Sequence, residues 1–146
     1  MGVDRKGDME YLLSMTKPII AVVTNINRNF PDTGATLDDI AVELGHLAQI
    51  VSAGGSVILN GEDCRVKKLR EKTKAKTVFY GTGDDCNAKI SNIETVSAGQ
   101  RFIFSYEGEQ KSIEIEKHGR HNIDACVVAK IVSKELELIK KEKDNK

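Results

Sequence analysis

Few residues of this chain have the means to do chemistry, and they are scattered. His118-x-x-His121 followed by Cys126 comes nearest to a metal cluster. Imidazole and thiolate are zinc ligands, but structural zinc sites close with four of them. The other cysteines, Cys64 and Cys86, stand far off in sequence, and no C-x-x-C pair occurs. A loop entering a helix is the plainer reading. Gly81-Thr82-Gly83 is a fragment of a dinucleotide-binding turn, yet Asp84-Asp85 follow it. Two carboxylates there repel a pyrophosphate, so a turn between strands is the simpler reading. The 146 residues contain no G-x-x-x-x-G-K followed by Ser or Thr. No loop of amides backed by a lysine is therefore available to cradle a triphosphate. No G-x-S-x-G elbow occurs, and no cysteine has a sequence neighbour that would activate its thiol. Cys126 reads as a small core residue. Residue types alone point to no catalytic residue and no metal site.

Composition sets the class. Hydrophobic residues make up 40% and charged residues 30%, which suits a globular chain with one core rather than disorder. The 22 basic residues cancel the 22 acidic ones. Without an overall field, neither nucleic acid nor an anionic membrane is an expected partner. No apolar run approaches the length of a membrane span. The charged start, Met1 to Lys6, lacks the apolar stretch of a secretory signal. An odd number of dispersed cysteines gives no disulfide framework. The expected location is the cytoplasm.

The elements that must position any site follow from periodicity. Residues 8–17 predict a short helix, capped by Asp8, with Tyr11, Leu12 and Met15 on one face. Residues 19–25 are apolar without alternation and rich in β-branched types, which predicts a strand buried on both faces, as in parallel sheets. Residues 27–35, with Pro31 and Gly34, read as a loop. Leu37, Ile40, Ala41, Leu44, Leu47, Ala48 and Val51 keep helical spacing behind a Thr36 cap. Strands are expected at 56–60 and 77–80, with a helix over 62–72 between them. Then alternation sets in at 88–96, 101–107 and 110–116, the pattern of an antiparallel meander with one solvated face. A long helix over 122–140 closes the chain. The expected fold is α/β: a parallel sheet with flanking helices plus a small three-stranded antiparallel meander. It is expected as a single domain over 1–146, with the parallel part at 1–83, the meander at 87–117, the last helix at 121–140 and a frayed tail at 141–146. Ligands in such sheets bind beyond the carboxyl ends of the strands, here the segments 25–35, 60–63 and 81–87.

Three ordered stretches add a resemblance. Met1-Gly2 through Lys17-Pro18-x-Ile20-Ala21-Val22-Val23-Thr24-Asn25-Ile26, then Gly54-Gly55-Ser56-Val57-Ile58-Leu59-Asn60-Gly61-Glu62-Asp63, then Gly119-Arg120-His121-Asn122-Ile123-x-Ala125 together resemble the Mur ligase family. The likeness runs from residue 1 to about 138. The branch that adds D-alanyl-D-alanine, the MurF type, looks most similar, with cyanophycin synthetase-like ligases next. The resemblance implies the second half of a central ATPase domain with a P-loop NTPase-like fold, incomplete as given. It implies ATP and magnesium as cofactors of the parent enzymes, an acid–amino-acid ligase activity, and a role in building peptidoglycan for the cell wall. It places the family's P-loop and magnesium-binding Glu upstream of residue 1.

The resemblance also sets the site expectations. Asn122 corresponds to an asparagine lying against adenine; a helix cap is the alternative. His121 beside it is expected as a packed loop residue rather than a catalytic one. Thr24 and Asn25 line a nucleotide site or satisfy the end of their strand. Two positions depart from the pattern. Phe30 stands where the family has a magnesium-binding His, and Leu44 where it has a carbamylated Lys; neither coordinates a hard cation. Ala125 replaces a second Asn. The expectation is therefore a ligase-derived domain inactive alone: a fragment, a truncated gene product or a degenerate paralogue, with the paralogue favoured. The competing expectation is a non-catalytic binding or scaffold module with an exposed sheet edge. That edge would form a homodimer or take up a chain supplying the P-loop half.

Overall fold

A computed structural model of the protein describes residues 6–27 and 36–144. Its elements in chain order are α1 (Asp8–Met15), β1 (Ile20–Val23), α2 (Leu37–Ile50), β2 (Ser56–Asn60), α3 (Cys64–Lys68), a 3₁₀ turn (Leu69–Lys72), β3 (Lys76–Gly81), β4 (Ala88–Val96), β5 (Gly99–Tyr106), β6 (Glu109–Ile115) and α4 (Arg120–Asp144). The strands are hydrogen-bonded in chain order as a six-stranded sheet. The expected α/β architecture is present. The chain divides into two compact units, Met1–Thr77 and Val78–Lys146.

In the first unit, β1 and β2 pair in parallel, from Ile20 opposite Ser56 to Val23 opposite Leu59. Ser56 to Leu59 are buried throughout, as a strand covered on both faces requires. In β1, Ala21 and Val23 are buried, whereas Ile20 and Val22 are only half-buried. Helix α2 starts in a reciprocal cap. The Asp39 amide donates to Thr36 Oγ1 at 3.1 Å, and the Thr36 amide donates to Asp39 Oδ2 at 2.9 Å. These bonds hold the Asp39 carboxyl below the usual carboxylate range.

Helix α1 departs from its expected form. It has no side-chain cap of its own; Gly7 precedes it in the left-handed region at φ 93°. The acceptor comes from α2, where the buried Glu43 takes hydrogen bonds from Gly7 N at 2.9 Å and Met9 N at 3.2 Å. A carboxylate at the positive helix end is favourable, so the cap expected from Asp8 is made by a residue distant in sequence. The buried face is Met9 and Leu13. Tyr11 and Met15 are 68% and 62% exposed. Both pairs are four residues apart, so periodicity alone does not choose between them.

In the second unit, β3 runs parallel to β4 but shares only the pairs Tyr80–Ala88 and Gly81–Lys89. The link between them holds only residues 82–87, and a full parallel crossover needs a dozen or more. β4, β5 and β6 form the expected antiparallel meander. Its second hairpin turns on Glu107 at φ 49° and Gly108 at φ 75°, the paired positive angles of a two-residue turn matched to strand twist. β4 carries a bulge between Ser91 and Glu94, with Asn92 at φ 50°. Helix α4 buries Ile123, Val127, Ile131, Glu135 and Ile139 at steps of four. The one acid in that stripe is answered by β5, where Tyr106 Oη donates to Glu135 Oε1 at 2.5 Å. Burial, and then this bond, push the Tyr106 hydroxyl above its ordinary pKa.

Candidate functional site

The carboxyl ends of β1 and β2 carry two of the three motif stretches, and one side chain joins them. Asp63 caps α3, its Oδ1 accepting from Arg65 N at 2.9 Å and Val66 N at 3.2 Å. Its Oδ2 accepts from Ile26 N at 3.0 Å, in the segment that leaves β1. Both oxygens are thereby used by backbone amides. Asn60 makes the preceding turn, its Oδ1 accepting from Glu62 N at 2.8 Å. The Asn60-Gly61-Glu62-Asp63 run is thus a turn, a cap and a cross-tie. Its signal in the sequence is an Asp placed directly before a helix; nothing local points to Ile26 as the third donor.

Gly55 explains the glycine pair at the other end of β2. Its amide donates to Ser52 O, its carbonyl accepts from Lys76 N, and the next amide, Ser56 N, donates to Ile19 O. A Cβ on Gly55 would lie 2.2 Å from Ile19 O, whereas Gly54 faces open space.

Thr24 and Asn25 are exposed just beyond β1, with no hydrogen bond to other described residues. Leu44 is half-buried on α2. The Met1-Gly2 part of the motif and Phe30, Pro31 and Gly34 of the loop lie outside the described residues.

In the second unit the structure brings His121 and Asn122 together at the start of α4. Asn122 Nδ2 donates to His118 O at 2.7 Å and lies 3.0 Å from His121 Nε2. Gly119, at φ 105°, admits the ring: a Cβ there would stand 2.7 Å from His121 Cε1. Asn122 is therefore no helix cap, because it donates to a carbonyl instead of accepting from first-turn amides.

The remaining sequence candidates are structural. Asp84 pairs with Lys89 at 2.6 Å, and that bond holds its carboxyl below the usual range. Cys86 N closes a turn onto Gly83 O. Among the described residues, no three His, Cys, Asp or Glu side chains are grouped to hold a metal, and His118, His121 and Cys126 form no such group. Cys126 is half-buried rather than a core residue.

A family profile described as the Mur ligase middle domain matches residues 1–132. This chain belongs to the Mur ligases. Among curated relatives, the UDP-N-acetylmuramate–L-alanine ligase of Levilactobacillus brevis is 32% identical over 109 residues, covering 74% of this chain and 24% of that protein. The enzyme of the same name from Solibacter usitatus is 30% identical over 122 residues, covering 83% of this chain and 26% of that protein. The chain thus spans about a quarter of the relatives it matches. A crystal structure of MurF from Acinetobacter baumannii superposes with a TM-score of 0.83 at 18% identity, over 94% of this chain and 30% of that one; this likeness shows the fold. Among the described residues, no helix is long and apolar enough to cross a membrane.

Mur ligases as a family use ATP and magnesium. The described residues fit that pair unevenly. Asp63 accepts from three backbone amides, two on Oδ1 and one on Oδ2, so its carboxylate serves as a cap and a cross-tie. Asn122 fits adenine in part. Its carbonyl can take a hydrogen from an exocyclic amine, but its amide hydrogens face His118 O and the His121 ring, so a two-point contact with a base edge is not available.

Proposed function

We propose that this chain is the middle-domain portion of an ATP-dependent acid–amino-acid ligase of peptidoglycan-precursor type, and that its 146 residues alone do not ligate. One observation carries the reading: Asp63 joins the segment after β1 to the turn after β2, at the carboxyl edge of a parallel pair. Open α/β sheets bind ligands at that edge. Phosphoryl transfer rests on positioning and on neutralising charge with metal and lysine. Phe30 and Leu44 stand where the family has metal-binding residues and neither side chain coordinates a hard cation, which supports a degenerate paralogue. In this reading Asn122, with His121 beside it, supplies the nucleotide contact of the second unit, and Thr24 and Asn25 supply that of the first. The cytoplasm is the matching compartment. The MurF type, joining D-alanyl-D-alanine, rests on the likeness of the motif stretches in the sequence. The 32% and 30% identities weigh for the neighbouring L-alanine branch.

The test is phosphate release from ATP with magnesium, given either UDP-N-acetylmuramate and L-alanine or a UDP-muramoyl tripeptide and D-alanyl-D-alanine. The expected rate is that of buffer alone with both pairs. Sustained release with either pair contradicts the inactive reading.

A second reading is favoured by the position of β1, whose one strand neighbour among the described residues is β2. An edge of this kind recruits strands, so the chain serves as a non-catalytic module that dimerises or receives a P-loop-bearing chain. Light scattering on a sizing column is expected to show a concentration-dependent dimer; a clean monomer at high concentration rules out the homodimer.

A further inference from the structure

The chain is neutral overall, yet between Arg65 and Lys76 it places seven basic residues and one acid, Glu71. The segment covers α3, the 3₁₀ turn and the entry to β3. Val66, Leu69 and Ala75 point inward and are buried, so the cations face out. Arg65 is paired, with Asp38 at the start of α2. Lys68, Arg70, Lys72 and Lys74 make no ion pair with other described residues.

Beside this strip, between α2 and α3 with its 3₁₀ turn, lies a hollow of about 550 Å³. Ala41, Val42 and Leu69 give its apolar lining; Arg65, Lys68 and Lys72 stand around it with two acids, Asp38, which pairs with Arg65, and Glu71. Val42 is 60% exposed, although it sits on the most regular helix of its unit. At Gly45 of α2, Lys72 Cγ and Leu69 Cδ2 lie 3.7 and 4.0 Å from where a Cβ would stand, so the 3₁₀ turn packs closely on the helix there. The hollow thus has an apolar lining bordered by two cations, Lys68 and Lys72, that make no ion pair with other described residues.

We propose that this groove docks an amphipathic acidic segment of a partner protein. Apolar anchors of a short helix would cover Val42 and Ala41, and its carboxylates would pair with Lys68 and Lys72. Charge complementarity selects the occupant. A nucleic acid would meet the lysines but leave the apolar floor uncovered, and no aromatic ring lines the hollow for bases to stack on. The proposal is independent of nucleotide binding or ligation.

The test is fluorescence anisotropy on the 146-residue chain, using a labelled helical peptide of leucine and glutamate with its leucines at helical spacing. A scrambled peptide of the same composition and a single-stranded oligothymidylate serve as comparisons. Saturable binding is expected, tighter than that of the scrambled peptide and weakened by added salt. The double variant Lys68→Glu/Lys72→Glu and the single variant Val42→Asp are each expected to weaken it ~10-fold or more. Glu71→Gln is expected to tighten it. All four positions are exposed, and circular dichroism checks that each variant folds. No saturable binding, equal binding of the scrambled peptide, or indifference to Val42→Asp overturns the proposal. Oligothymidylate binding as tight as the peptide, lost in the lysine variant but not in Val42→Asp, assigns the strip to polyanions instead.

Discussion

Gly55→Ala is expected to lower stability by roughly 3 kcal/mol, the upper end for forcing a side chain into packed structure. Gly54→Ala, one residue earlier, is expected to change it by less than about 0.5 kcal/mol. The added methyl at position 55 meets Ile19 O at 2.2 Å and Val51 Cγ1 at 2.8 Å. Val51 could turn its side chain away, but the Ile19 carbonyl is held by Ser56 N at 3.0 Å. Relief therefore requires β1 to move off β2 where their pairing begins. At position 54 nothing lies within reach of a methyl. Urea unfolding followed by circular dichroism measures both variants. Equal midpoints for the two would show that the approach of β1 to β2 is looser than described.

Asp63→Ala is expected to cost on the order of 3 kcal/mol, about 1 kcal/mol for each of three backbone amides left without an acceptor. The distances are 3.0 Å to Ile26 N, 2.9 Å to Arg65 N and 3.2 Å to Val66 N. Asp63→Asn separates the two roles. One carboxamide oxygen can still cap α3, while the amide group turns a donor toward Ile26 N, so about a third to a half of the loss is expected. Hydrogen exchange gives the residue-level check. Ile26 is expected to exchange faster in both variants, Arg65 and Val66 only in the alanine variant. Unchanged protection at Ile26 in either would remove the cross-tie between the two strand ends.

Elements set by local patterning were legible in the sequence. The Thr36 cap, the parallel pairing of two unbroken β-branched runs and the alternation of the meander all depend on near neighbours. What the sequence hid depends on distant partners. Glu43 reads as a surface acid on an amphipathic helix, and only the approach of Gly7 and Met9 makes it a buried cap. Glu135 interrupts an apolar stripe and is explained only by Tyr106. The inward face of α1 is not legible from spacing, because two equally spaced pairs compete and packing on α2 decides. Of the site, the motif positions were visible, but their chemistry was not. Asp63 looked like part of a signature and acts through three amides. Asn122, expected against adenine or else as a helix cap, donates to His118 O and toward the His121 ring.

Calorimetric titration of ATP into the 146-residue chain, with and without magnesium, tests the catalytically incomplete reading most directly. The expected result is no saturable sub-millimolar binding, with any weak heat unchanged when magnesium is added. Sub-millimolar binding that requires magnesium would contradict it, because it would mean that the chain still holds a working metal–phosphate site.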